Sequence, residues 1–317
     1  MKLIDPSYEI LEQEPGIEGM FKQIERAGRT CYKSEDKITA DSARDFVQRM
    51  IDSKHTAMLE HGTCYLYWKH DYGEDGQSGV DMGDLFDVYF NFMLNDYTVH
   101  KTNFDTHESF VTTNFRVVVD LLGDDWEKFL EHHMVDYDDR FKRRVTVKMT
   151  TSLHVYKDLT RHRKASFAIE STRFCNYSKN KFGNELTFIK PVWIKDYTIY
   201  FLPLEKDGKG DYSIIHLKDK NITDEENAVI HRFIEHLADV EREYVFYTTH
   251  GWQAQQAAEV LPQCVKADVI MTATVSEWDY IFDLRARGTT GVPHPEVERI
   301  MAPIMHDFIE RSWIKDK

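Results

Sequence analysis

Between residues 161 and 174 the chain reads Arg-His-Arg-Lys-Ala-Ser-Phe-Ala-Ile-Glu-Ser-Thr-Arg-Phe. Arg161, Arg163 and Arg173 offer planar forks that match phosphate oxygens, and Ser171 with its neighbouring backbone amides can complete a phosphate cradle. His162 brings the anion donors to four. The same residues would also serve as an ordinary basic helix end, complementing the helix dipole. What surrounds them decides between the two.

Other familiar chemistry is missing. There is no GxGxxG fingerprint, no GxxxxGK[ST] loop, no HExxH and no GxSxG elbow, so a Rossmann-type nucleotide site is unsupported. The pairs His55/His61 and His132/His133 lack the carboxylate or thiolate partners of a metal centre, and no metal is expected. Cys31, Cys64, Cys175 and Cys264 are scattered without a CxxC pair, which argues against a disulfide framework and for a reducing cytoplasm.

The chain has 317 residues, with 40 Lys plus Arg against 54 Asp plus Glu and a formal net charge of −14. Such a surface repels polyanions, so nucleic-acid binding is not expected, while a local cluster such as 161–173 can still hold a small anion. The N-terminus reaches Asp5 before an apolar run forms and no later run approaches a membrane span. No Pro/Gly/Ser-rich linker divides the chain, which predicts one domain over 1–317 with an insertion at about 70–144.

The elements that must position the arginine cluster follow from periodicity. Residues 17–28 read as a helix, and Ala43, Phe46, Val47, Met50 and Ile51 form the stripe of a second. Thr63–Trp68 has strand character, 70–84 reads as an acidic surface loop, and the topology from Leu85 to Arg144 is not assigned. Val145–Thr150 alternates as a strand, and Leu153, Tyr156, Lys157 and Thr160 then take helical spacing toward Arg161. Thr223 to Glu226 is a capping box opening a long helix with Val229, Phe233, Leu237, Val240 and Tyr244 in register. Trp252–Val260 reads as a short helix stopped by Pro262, and Val265, Ala267, Val269 and Met271 alternate as a strand. Ser276 is expected to cap a helix carrying Trp278, Ile281, Phe282 and Arg285, and Pro295 to open a last one through about Ile309. Helices and strands mixed this irregularly predict an α+β fold rather than a doubly wound parallel sheet.

Four further pieces accompany the cluster: Arg26-Ala-Gly-Arg-Thr-Cys-Tyr-Lys33, His55 to Gly62, Thr112-Thr-Asn-Phe-Arg116, and Val260-Leu-Pro262 followed by Trp278 and Leu284-Arg285. With Arg-His-Arg, seven residues and Ser, this set resembles the flavin-dependent thymidylate synthase family over most of the chain. The resemblance implies an α+β protomer in a homotetramer with active sites shared between subunits. It implies FAD as cofactor, dUMP as substrate, methylene-tetrahydrofolate as carbon donor and NADPH as reductant of the flavin. It also implies roles: His55, Arg161, His162, Arg163, Thr274 and Tyr280 toward FAD, and Asp158, Arg161, Glu170, Ser171, Thr172, Arg173 and Arg285 toward dUMP. Arg285 is the catalytic candidate, a fixed cation against the uracil ring that favours ionisation of the nitrogen between the two carbonyls and so makes carbon 5 nucleophilic. Ser171 is assigned to binding, since no general base stands at a diagnostic spacing.

The chain departs from the family pattern at Ala168 and Ile169, where Asn-Glu is common and the acid here is Glu170 instead. It departs also at Ala258, where an arginine usually precedes Val-Leu-Pro, and at Thr274, where asparagine is common. Lys157 and Lys266 are the candidate replacements for the missing guanidinium. Two alternatives stay open at this level: a relative that transfers a hydroxymethyl group to dUMP, and a nucleotide- or flavin-binding protein without catalysis.

Overall fold

A computed structural model describes residues 1–69, 82–194, 198–203, 212–217 and 224–317. In chain order the first elements are β1 (Lys2–Ile4), β2 (Ser7–Leu11), α1 (Gly16–Cys31), α2 (Ser42–Asp52), a 3-10 turn at Thr56–His61 and β3 (Thr63–Lys69). Next come α3 (Met82–Met93), β4 (Val99–Asn103), β5 (Glu108–Asn114), α4 (Phe115–Leu122), α5 (Trp126–His133) and β6 (Met134–Val135). Arg161 and Arg163 lie between β7 (Arg144–Ser152) with α6 (Leu153–Leu159) and β8 (Ser166–Ile169), Arg173 after β8, and β9 (Thr187–Ile189) follows. The remainder is β10 (Thr198–Pro203), β11 (Tyr212–Leu217), α7 (Asp224–Thr249), α8 (Ala254–Ala257), β12 (Lys266–Thr274), α9 (Val275–Arg285) and α10 (Pro295–Glu310).

Two four-stranded sheets carry the molecule, in the orders β2-β7-β12-β8 and β4-β5-β3-β6, with antiparallel pairing throughout. β1 pairs with β9 in parallel, and β10 with β11 antiparallel. The expected α+β class holds. Residues 82–135 join β3 in building the second sheet, which gives that stretch its topology.

Three strands end on a polar residue whose side chain caps the next helix. Asn114 accepts from the Val117 amide at 3.2 Å, Ser152 from Val155 at 3.4 Å and Thr274 from Glu277 at 3.2 Å. The cap of α9 is thus Thr274, and Ser276, expected in that role, lies in the first helical turn; the hydroxyl two residues earlier reaches the free amide first.

β12 lies between β7 and β8 and is buried on both faces. On one face Val269, Met271 and Ala273 join Val145, Val147 and Met149 of β7 against Trp278 and Phe282 of α9 and Met301, Ile304 and Phe308 of α10. On the other, Ile270 meets Ala27 of α1, Ala168 and Leu11. α1 faces the second sheet as well, where Met20, Phe21 and Ile24 pack with Phe115 and Trp126. Leu237, Val240 and Tyr244 of α7 are buried as their register predicts, but Val229 is exposed. Thr223 and residues 70–81 of the expected acidic loop fall outside the described residues, and 82–84 open α3 instead of continuing a loop. The expected helix at 252–260 is a single α turn at Ala254–Ala257 running into a 3-10 turn at Ala258–Val260. The short strands β1, β2, β8 and β9 carry too few residues for a readable period.

Trp278 is fully buried, stacks with Phe282, meets Phe308 at a tilt and donates its indole N–H to the Val145 carbonyl at 3.0 Å. Trp278→Ala should lower unfolding free energy by about 3–5 kcal/mol, read as an earlier urea midpoint with an unchanged slope.

Candidate active site

Arg161 to Lys164 form a turn between the end of α6 and β8, so the cluster stands at the base of a helix that leaves the sheet. His162 is turned inward and buried, its amide bonded to the Leu159 carbonyl. Its Nε2 accepts from Arg285 Nε at 3.2 Å, which assigns the ring proton to Nδ1. Burial, followed by the nearby Arg285 and Arg161 cations, pushes the His162 pKa down to about 4. The ring is therefore neutral at physiological pH.

Arg285 ends α9, where a cation complements the helix dipole, and its Nη2 donates to the Asp158 carbonyl at 3.2 Å. Two of its five N–H groups are thereby engaged, both by neutral acceptors. Tyr280, one turn back on α9 and exposed, meets the His162 ring edge-on at 6.3 Å. Arg161 is 73% exposed, with its nearest carboxylate, Asp158, at 3.9 Å, and Arg163 is exposed too. Asp158, Arg161, His162, Tyr280 and Arg285 thus share one locality. Thr274 does not: it caps the opposite end of α9, roughly 16 Å away by helical rise.

Ser171, Thr172 and Arg173 lie beyond the far end of β8. The Ser171 amide donates to the Cys31 carbonyl at the end of α1 at 3.0 Å, and Phe174 and Cys175 fold back onto the Ser171 carbonyl. Arg173 donates from Nε to Gln255 Oε1 at 3.1 Å and lies over Phe174, whose ring meets Tyr32 at a tilt; both rings are exposed. β8 puts about 10 Å of strand between this segment and the arginine turn.

Glu170, expected among the nucleotide contacts, has both carboxylate oxygens engaged inside the protein. Oε1 accepts from Tyr177 OH at 2.9 Å, and Oε2 from Lys266 Nζ at 2.6 Å and the Asp268 amide at 3.0 Å. Asp268 in turn accepts from Lys266 at 2.6 Å, Lys33 at 2.8 Å and Thr150 at 2.8 Å. Burial works to raise the Asp268 pKa, but the two ammonium groups outweigh it and hold the carboxyl well below its usual range. Burial alone would lower Lys33, and the Glu170 and Asp268 charges reverse that, raising it. Burial and then the Glu170 charge push the Tyr177 phenol up. Lys266, a candidate to replace the guanidinium missing at Ala258, is committed to this cluster; Lys157, the other, is exposed and donates to Gln263 at 2.9 Å. Nothing in the spacing of residues 33, 170, 177, 266 and 268 announced the cluster, because it needs the register of β8 on β12 together with the end of α1 and the loop at Tyr177.

His55 is exposed at the start of the 56–61 turn, its amide bonded to the Met50 carbonyl at 2.9 Å. The turn packs against β8 and β12 and is held by one buried and one partly buried contact. His61 Nδ1 bonds Thr272 Oγ1 at 2.8 Å, and Thr272 bonds Thr146 at 2.9 Å. Arg144 Nη2 donates to the Glu60 carbonyl at 3.0 Å. Burial, with a smaller contribution from Arg144, pushes the His61 pKa down to about 3.

The family model described as thymidylate synthase complementing protein matches residues 142–310. Among solved structures, the chain is similar to a UMP/dUMP methylase PolB from Streptomyces cacaoi bound with 5-Br UMP, at 14% identity and a TM-score of 0.42, covering 98% of this chain and 91% of that one. The same methylase bound with 5-Br dUMP aligns at 15% identity and a TM-score of 0.42, covering 98% and 93%. No curated protein matches.

The buried histidines set an acid limit on stability. In the unfolded chain an imidazole takes up a proton near pH 6.5, whereas folded His162 and His61 stay neutral until about pH 4 and 3. The unfolded state therefore binds more protons in between, so their contribution is complete above pH 6.5 and is lost as pH falls. Urea denaturation between pH 6 and 5 should show stability falling with pH, and His61→Asn should flatten that slope by roughly 1 kcal/mol per pH unit.

Proposed function

The chain belongs to the thymidylate synthase complementing protein family, and from that premise we propose that it is a flavin-dependent thymidylate synthase. In this reading it converts dUMP to dTMP with methylene-tetrahydrofolate as carbon donor, and NADPH reduces the flavin. The observation that carries the reading is Arg285. A guanidinium held by an imidazole nitrogen and a carbonyl keeps its whole positive charge, because neither partner is an anion. Its remaining N–H groups are free to face an anionic ring.

The residues fit the cofactor. Arg161 and Arg163 are exposed cations suited to a pyrophosphate, and the exposed Tyr280 face beside His162 suits a flat ring. His55 is exposed and accessible on its turn. FAD would be held by these side chains, with Thr274 toward its far end, and when bound it supplies the hydride that completes the methyl group. The protein's own part is electrostatic. Arg285 stabilises negative charge as the uracil nitrogen loses its proton, which raises electron density at carbon 5 for attack on the methylene carbon. Neutral His162 orients Arg285 without quenching it. Asp158 fixes the same guanidinium through its carbonyl.

Ser171, Thr172 and Arg173 would grip the nucleotide phosphate and sugar, with Glu170 acting on them from within. Their distance from Arg285 along β8 supports a homotetramer in which one subunit supplies the arginine turn and another the serine segment. Exposed Tyr32 and Phe174 beside Arg173 are consistent with such a contact.

Purified protein incubated with FAD, NADPH, methylene-tetrahydrofolate and dUMP should yield dTMP by mass spectrometry, dependent on the flavin. A hydroxymethylated nucleotide, or unchanged dUMP with flavin bound, would overturn the assignment. Arg285→Gln should reduce turnover by about 10²-fold or more, with a far smaller effect on the melting temperature.

A further inference from the structure

We infer that Lys33, Lys266, Asp268 and Tyr177 form a buried clamp on Glu170 that fixes the Ser171–Arg173 segment, and that these four are positioning residues for whatever that segment binds. The inference deepens the nucleotide reading by naming what sets the serine segment, but its structural half stands without it.

Three observations converge. The first is closure: two ammonium groups and two carboxylates alternate within 2.6 to 3.5 Å, so the buried charge is balanced inside the cluster. The Glu170 side chain has 0% exposure and Asp268 8%, so both carboxylates depend on protein partners, while Lys33, at 28%, forms the solvent-facing edge of the cluster. Removing one member leaves an uncompensated charge immediately before Ser171.

The second is convergence of elements. Lys33 follows the end of α1, Lys266 and Asp268 belong to β12, Thr150 to β7, and Tyr177 to the loop beyond the segment. Backbone bonds run in parallel with the charges: Glu170 N to Asp268 O at 2.8 Å and Ser171 N to Cys31 O at 3.0 Å. The segment leaves the sheet between the two, so its start is fixed from the strand side and the helix side at once.

The third is the backbone of Lys33, whose φ is +45°. That left-handed position just past a helix end favours glycine. A lysine here places its ammonium 2.8 Å from Asp268 at the expense of backbone strain. The residue is suited to the cluster rather than to the turn.

This strain supplies a clean test. Lys33→Gly removes the ammonium while relieving the backbone, so it should fold, and Lys33→Arg keeps the charge. Hydrogen exchange would be followed at the amides of Glu170, Ser171, Phe174 and Cys175, and at those of β7 and β12, in the full-length protein. Calorimetry would give the dUMP dissociation constant. Lys33→Gly should exchange about tenfold faster at the four segment amides only, and bind dUMP about tenfold more weakly, with Lys33→Arg near wild type. Unchanged segment exchange, or an equal rise across β7 and β12, would sink the clamp. Should Lys33→Gly fail to fold, Tyr177→Phe, which deletes one hydrogen bond and no charge, is judged by the same local exchange. If the wild type does not bind dUMP while exchange rises locally, the clamp stands and the nucleotide reading falls.

Discussion

A strand buried on both faces must answer every polar group it carries, and on the side away from its apolar core β12 carries three before its last residue, Thr274. Lys266, Asp268 and Thr272 alternate with residues that pack against α9 and α10, so they point toward α1 and the 56–61 turn. Each recruits partners from a different part of the chain. Thr272 takes His61 and Thr146, while Asp268 takes Lys33, Lys266 and Thr150. An unpaired hydroxyl or carboxylate there would incur the full desolvation penalty, so the strand dictates where the end of α1 and the turn after His55 must sit. The positions of the candidate residues on those segments follow from that requirement.

The same logic separates cations that hold the structure from cations that remain for a ligand. Lys33 and Lys266 are matched by Glu170 and Asp268, and Arg116 pairs with Glu60 at 2.6 Å. Arg285 is different: an imidazole and a carbonyl hold its geometry but leave its charge uncancelled. The neutrality of His162 is part of that arrangement, since a protonated ring could not accept the Arg285 N–H and would repel it. In a chain of net charge −14, Arg161, Arg163 and Arg285 gathered in one locality give that locality a positive potential that the acidic chain as a whole does not have.

Much of this was legible in the sequence, for reasons that can be stated. Long periodic helices such as α1, α2 and α10 and the strands β3, β7 and β12 were read because each buries one stripe or a continuous apolar run. The resemblance assigns Arg161, His162 and Tyr280 to the cofactor and Asp158, Arg161 and Arg285 to the nucleotide, and the fold places these five residues in one locality. The fate of Glu170 was not legible, because an acid beside a serine looks the same whether it faces a ligand or a buried lysine. Only the pairing of Ile169 with Val269, which sets Glu170 beside Asp268, distinguishes the two. The cap of α9 was misplaced for a similar reason: Thr274 and Ser276 are both good caps, and the end of β12 decides between them. Strands of three to five residues and the stretch after Leu85 gave no period to read.

β8 then sets how far apart the signature residues stand within one protomer. The arginine turn and the serine segment lie beyond its opposite ends, and a short strand paired along β12 cannot fold them onto each other. Arg285 is tied to the first end through His162, and Ser171 to the second through Cys31 and the Glu170 cluster. Each half is rigid by its own buried contacts, so neither can swing toward the other without breaking them. On the proposed reading a nucleotide meets both halves where two copies juxtapose opposite ends of their β8 strands. The rigidity that divides the site within a subunit is then what would let two subunits complete it with preset geometry.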